Sequence, residues 1–153
     1  MLVSDLVAKK GKVVFTVHIN TKVFDAVKKL DDTRAGAMLV LNDQDELEGI
    51  ISERDILYKC YNSGIPLTEN EVKNLMTSAE NLIVGKMEDT ATYLMNAMID
   101  KHIRHIPILE NDEIVAIVSI EDVLKAVLET SESEAKLLRE YIQNPFGVHA
   151  YKH

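Results

Sequence analysis

One cysteine, three prolines and no tryptophan occur among the 153 residues. A lone Cys60 excludes an internal disulfide and a zinc site built from cysteines. No stretch approaches the roughly 18 apolar residues of a membrane-crossing helix. Residues Met1 to Phe15 carry Asp5, Lys9, Lys10 and Lys12 and lack the pattern of a secretory signal. Positive charge is scarce: Lys+Arg 17 against Asp+Glu 25 leaves −8, a surface that repels phosphate backbones and anionic lipid. Nucleic acid and membrane are therefore poor partners. What remains, 46% hydrophobic and 27% charged residues, is an ordinary globular composition. The expectation is a cytoplasmic, reduced, water-soluble protein of one domain or two small ones.

The chain repeats itself. Gly49-Ile-Ile-Ser-Glu-Arg-Asp55-Ile reappears as Ala116-Ile-Val-Ser-Ile-Glu-Asp122-Val, with both the serines and the aspartates 67 residues apart. Ile56, Leu57, Cys60 and Tyr61 become Val123, Leu124, Val127 and Leu128 at the same offset. Those positions share one helical face, so an apolar stripe repeats along with the motif. Upstream, Met38-Leu-Val-Leu41 matches Ile106-Pro-Ile-Leu109 at an offset of 68. The single gap falls in a polar turn, Asn42–Glu46 against Glu110–Glu113, where a length change costs least.

Each copy reads as strand, helix, strand, strand, helix. In the first, a strand near 13–17 precedes a helix with Val23, Ala26, Val27 and Leu30 on one side, then strands 37–41 and 47–51 and a helix over 53–61. The second has a strand near 81–84, a helix over 90–101, strands 105–109 and 113–118, and a helix over 120–128. Paired apolar strands with a polar turn between them form a hairpin. The boundaries are 12–62 for the first repeat, 63–79 for a joining segment with a short helix, and 80–128 for the second repeat. A C-terminal helix over 129–143 and a flexible tail over 144–153 follow. A unit of about 60 residues buries too little surface to stand comfortably alone, so the two copies pack on each other.

Ser52 and Ser119 have a plain account as helix N-caps, with an acidic residue three positions on completing a capping box. A helix mouth also offers unpaired N–H groups and positive potential to a phosphate. An aspartate one turn in can accept hydrogen bonds from a vicinal diol such as ribose. Gly49 presents bare backbone to a ligand.

The duplicated Gly-hydrophobic-hydrophobic-Ser-x-x-Asp, together with Arg104-His105-Ile106-Pro107-Ile108, resembles the cystathionine-β-synthase (CBS) domain pair, or Bateman module, over residues 12–128. Gly36-Ala37-Met-Leu-Val and Ile51-Ser-Glu-Arg-Asp55 look like the small stand-alone members. The resemblance implies an α+β fold: two tandem β-α-β-β-α CBS repeats about a pseudo-twofold axis, plus the C-terminal helix. It implies binding of an adenosine-containing ligand, whether AMP, ADP, ATP or S-adenosylmethionine, with no catalytic cofactor. By the same resemblance Asp55 and Asp122 hold ribose, while Ser52 and Ser119 contact ribose or the first phosphate. Adenine slots near Val17, His18, Val84 and Lys86, and Arg104 and His105, just before Pro107, meet phosphate. Arg54 is a further candidate. Three departures stand out: in the first copy Leu39 replaces the motif proline and Gly36-Ala37 stand where Arg104-His105 stand, so that copy lacks the basic pair, and Ala116 replaces Gly49 in the second.

Other constellations have ordinary explanations. His102 and His105 fall at a helix end, His149 and His153 at the C-terminus, and Cys60 on an apolar helix face. Ser119, His105 and Asp122 form no hydrolase triad, because serine and aspartate are neighbours on one helix start in both copies. Two functions follow. One is a non-enzymatic sensor whose nucleotide shifts the arrangement of repeats or chains for a partner protein to read. The other is a ligand-free dimeric scaffold. A homodimer through the second helices of both repeats serves either.

Overall fold

A computed structural model describes residues 1–129 and 132–143. The expected tail over 144–153, with His149 and His153, and residues 130 and 131 before the last helix lie outside the described residues. The elements run α1 (Val3–Lys10), β1 (Thr16–His18), α2 (Val23–Thr33), β2 (Ala37–Leu41), β3 (Leu47–Ser52), α3 (Glu53–Ser63), α4 (Val72–Leu75), β4 (Thr77–Ser78), β5 (Gly85–Lys86), α5 (Ala91–Lys101), β6 (His105–Glu110), β7 (Glu113–Ser119), α6 (Ile120–Leu128) and α7 (Glu132–Gln143). A 3-10 turn over Ala79–Asn81 leads from β4 toward β5.

Two small mixed sheets result, ordered β1-β2-β3-β4 and β5-β6-β7. In each, the first strand runs parallel to the second, and the second and third form the antiparallel hairpin that the alternating apolar pattern predicts. The first strands are shorter and later than the expected 13–17 and 81–84. Pairing starts at Thr16 with Leu39 and at Gly85 with Ile108, and the residues just before, Val14, Phe15, Leu82 and Ile83, pack half-buried against the core clusters. The helices α2 and α5 end alike, with Arg34 and His102 in the left-handed conformation at φ 58° and 55°.

Three buried clusters hold the chain together. One comprises Val23, Ala26, Leu30, Met38, Val40, Ile51 and Ile56 of the first repeat. Another comprises Leu94, Met98, Ile106, Ile108, Val118, Val123 and Ala126 of the second. A third, of Ala37, Leu39, Ile50 and Ile117, lies between the sheets and joins the repeats.

The segments preceding the repeats cross over. Val3, Leu6 and Val7 of α1 complete the second repeat's cluster, and Val72 and Leu75 of α4 complete the first's. Backbone bonds tie the exchange symmetrically: Val3 N–H to Asp89 C=O (2.8 Å) and Ala91 N–H to Met1 C=O (2.9 Å) on one side, Val72 N–H to Thr21 C=O (2.9 Å) and Val23 N–H to Asn70 C=O (2.8 Å) on the other. Thus residues 1–11, unassigned on sequence, and residues of the joining segment are structural parts of the opposite repeats. Among the described residues, no helix is long and apolar enough to cross a membrane.

Candidate functional site

The two motif serines cap their helices. Ser52 Oγ accepts from Asp55 N–H at 3.2 Å while Asp55 Oδ2 accepts from Ser52 N–H at 3.1 Å. Ser119 Oγ accepts from Asp122 N–H at 3.2 Å while Asp122 Oδ2 accepts from Ser119 N–H at 2.9 Å. The capping box fixes each carboxylate at a helix mouth, and each mouth opens on a cleft.

The cleft at Asp55 has a volume of ≈ 280 Å³, and the one at Asp122 ≈ 460 Å³. Both are built the same way from opposite halves of the chain. Beside Ser52 and Asp55 stand Leu82 and Ile83, which precede β5, and His102 to His105 from the α5–β6 turn. Beside Ser119 and Asp122 stand Val14 and Phe15, which precede β1, and Arg34 to Ala37 from the α2–β2 turn. One repeat therefore supplies the polar helix mouth and the other the apolar wall. Asp55 and Asp122 do not lie on opposite outer surfaces; their clefts meet at Arg54, Arg104 and His105, which border both.

Of the residues singled out on sequence, Ser52, Arg54, Asp55, Arg104, His105, Ser119 and Asp122 are brought together here. Four lie elsewhere. Val17 is buried in the first repeat's cluster. His18 pairs with Asp43 at 2.5 Å beside a separate depression. Val84 and the exposed Lys86 border neither cleft. The sheet register explains the shift: once β1 and β5 are paired, the residues free to wall a cleft are the ones before them. Pro107 is buried in β6 opposite Ile117 and also borders neither cleft.

Gly49 is bare for a different reason from the one expected. A Cβ there would strike the backbone carbonyl of Thr77, so the glycine admits the neighbouring strand β4 rather than a ligand. The second sheet has no fourth strand beside β7 among the described residues, which is why Ala116 is tolerated. At Gly36 a Cβ would strike His105 Nε2, so this glycine makes room for the imidazole reaching across from the other repeat.

The electrostatics of the two carboxylates differ. Asp55 is paired along its own helix with Lys59, Nζ to Oδ1 at 3.0 Å. Asp122 is paired with Lys10, at the end of α1, Nζ to Oδ2 at 2.5 Å. Burial pushes the Asp122 carboxyl up, but hydrogen bonds from Lys10 and Ser119 and the charge of Lys10 outweigh this and hold it below its ordinary range. Burial likewise pushes His105 below the ordinary imidazole value; Lys10 and Arg104 add to this while Asp122 and Glu121 oppose it. Lys10, Val14, Phe15, Leu82 and Ile83 were not named as site residues on sequence, since the crossing that delivers them is a tertiary fact.

A pair of interlocked repeats with a serine-aspartate helix mouth in each cleft is the architecture of a CBS domain pair. The CBS domain family model matches residues 3–62 and 72–129, and the chain belongs to that family. The "CBS domain-containing protein CBSX3, mitochondrial" of Arabidopsis thaliana is 33% identical over 150 residues, spanning 94% of this chain and 73% of that protein. The CBS-domain containing protein ATU1752 of Agrobacterium tumefaciens superposes with a TM-score of 0.76 at 31% identity, covering 82% of this chain and 92% of that one. The CBS domain pair of protein MJ0100, solved with 5'-methylthioadenosine and S-adenosyl-L-methionine, shares the fold with a TM-score of 0.71 at 21% identity, over 86% of this chain and 98% of that one.

Proposed function

We propose that this pair is a non-enzymatic regulatory module that binds an adenosine-containing ligand in the clefts at Asp55 and Asp122. The observation that carries the reading is the composition of each cleft: a carboxylate for ribose hydroxyls, an apolar wall for a purine, and cations for phosphate. The cleft at Asp55 sets Arg54, Lys59 and Arg104 against one carboxylate. The other sets Lys10, Arg34, Arg54 and Arg104 against Glu53, Glu121 and Asp122. Both are locally cationic on a chain of net charge −8. AMP, ADP and ATP suit that balance better than S-adenosylmethionine, whose sulfonium is itself positive. The ligands named for the MJ0100 pair support the adenosine class.

A bound nucleotide would bridge the repeats, because its ribose and its base contact different halves of the chain. It biases their relative orientation by as much as its affinity differs between the arrangements. Titrating AMP, ADP, ATP and S-adenosylmethionine into the native chain and into Asp55→Ala/Asp122→Ala tests this. Losing a charged acceptor costs about 1.5–3 kcal/mol, roughly 10- to 150-fold in affinity at each cleft. Unchanged titrations in the double variant refute the proposal.

The scaffold reading draws on surface apolarity, and it is compatible with a second copy of this chain as partner. Leu57, Tyr58 and Tyr61 on α3 are exposed; Leu67 lies beside Leu57 and Tyr61, and the exposed Phe24 is bonded through its backbone N–H to the Leu67 carbonyl. The matching stripe on α6 is largely covered within the chain: Val123 and Leu128 are buried and Leu124 and Val127 half-buried. A homodimer would therefore rest chiefly on α3 rather than equally on both second helices. Sedimentation at micromolar concentration showing a 17.2 kDa species alone would exclude it.

A further inference from the structure

We infer that the two clefts are coupled because Arg54, Arg104 and His105 serve both, so that a phosphate held in one weakens phosphate binding in the other. The inference rests on the nucleotide reading above and adds a regulatory property to it. A strict duplication would give each cleft its own cations. Here the repeat positions matching Arg54, Arg104 and His105 are Glu121, Gly36 and Ala37. One copy of each basic group thus stands where the clefts meet. Arg54 enters from the first turn of α3 in the first repeat, and Arg104 and His105 from the start of β6 in the second. The His105 ring lies over Gly36, across the boundary between the repeats.

A phosphate seated at Asp55 draws these groups toward itself, and its own charge opposes a second phosphate nearby. The cleft at Asp122 suffers more, because Glu53 and Glu121 also border it and neither borders the other. The Asp55 cleft then fills first with a polyphosphate, and the Asp122 cleft is left to a ligand of lower negative charge. Coupling of this kind is reciprocal, and it grows with the number of phosphates.

Calorimetric titration with adenosine, AMP and ATP in magnesium-free buffer tests the inference. Asp55→Asn and Asp122→Asn give chains with one competent cleft each while retaining a side-chain oxygen for the cap. In the native chain the second ATP should bind about tenfold more weakly than the weaker cleft does alone, a coupling of ordinary allosteric size. Adenosine should show no such weakening, and raising salt should shrink the effect for ATP. Adding Arg104→Met to each single-cleft chain should loosen ATP in both. A native ATP isotherm equal to the sum of the two single-cleft isotherms overturns the coupling. So does equal weakening with adenosine, or an Arg104→Met effect confined to one cleft. Absence of binding by any of the three ligands in any chain overturns the nucleotide reading, and the coupling with it.

Discussion

Replacing Lys10 with methionine isolates the ion pair that α1 makes with the second motif aspartate. The two side chains are 33% and 23% exposed. Exposed pairs contribute about 0–1 kcal/mol, whereas stripping one partner from a fully buried pair costs about 3–5. A half-buried carboxylate left without its cation therefore costs about 1–2 kcal/mol. For a chain of this length that lowers Tm by about 2–8 °C. The companion variant Lys59→Met strips the i,i+4 partner from Asp55, whose side chain is 15% exposed, and removes a hydrogen bond to the Leu75 carbonyl at 3.0 Å, so it should also cost about 1–2 kcal/mol. The pH dependence supplies the second half of the test. Asp122 is held below its ordinary value of 3.8 in the folded chain. Between the two values the unfolded state binds the extra proton, so the stabilisation is complete above 3.8 and disappears as pH falls through the depressed native value. Urea unfolding of the native chain and of Lys10→Met at pH 7 and in that acid range measures it. Equal midpoints at pH 7, or a difference that stays the same in acid, would refute the assigned role of Lys10.

The crossing of α1 and α4 predicts that Leu6→Ala and Leu75→Ala each destabilise the chain by about 2–5 kcal/mol, read as urea midpoints, since each empties a site in the opposite repeat's core. Surface-like losses under about 0.5 kcal/mol would contradict it. Gly49→Ala drives a methyl into the Thr77 carbonyl and should cost about 1–3 kcal/mol with displacement of β4, visible as lost amide protection at Thr77 and Ser78. His105, held below its ordinary value of 6.5 chiefly by burial and also by Lys10, is neutral at pH 7.5, and a phosphate beside it favours its protonation. AMP should therefore bind about three- to tenfold more tightly at pH 6 than at pH 7.5. His105→Gln should abolish that gain and leave a slight weakening toward pH 6 as the phosphate itself takes up a proton, and adenosine should show neither effect.

The hairpins, the second helices and the two helix mouths were legible because their signals are local. Alternation within β2–β3 and β6–β7, and a serine three residues before an aspartate, are facts of neighbouring residues. The repeat extends further upstream than the hairpins and motifs. Val3, Leu6 and Val7 align with Val72, Leu75 and Met76 at a common offset of 69 residues, and that alignment would have drawn α1 into the fold. It is easily missed: α1 has eight residues and an apolar N-cap, Leu2, and its apolar stripe fits the repeat it does not belong to.

The cleft walls were illegible for a deeper reason. A motif read within one repeat points toward its own first strand, toward Val17 or Val84. The pseudo-twofold instead gives each aspartate the flank of the other repeat, Ile83 for Asp55 and Phe15 for Asp122. That exchange also accounts for the asymmetry between the clefts. Each half depends on the other for its wall, and a cation present in only one copy can border both clefts. The arrangement that lets Gly36 stand where Arg104 stands in the second repeat is the same arrangement that ties one cleft's occupancy to the other's.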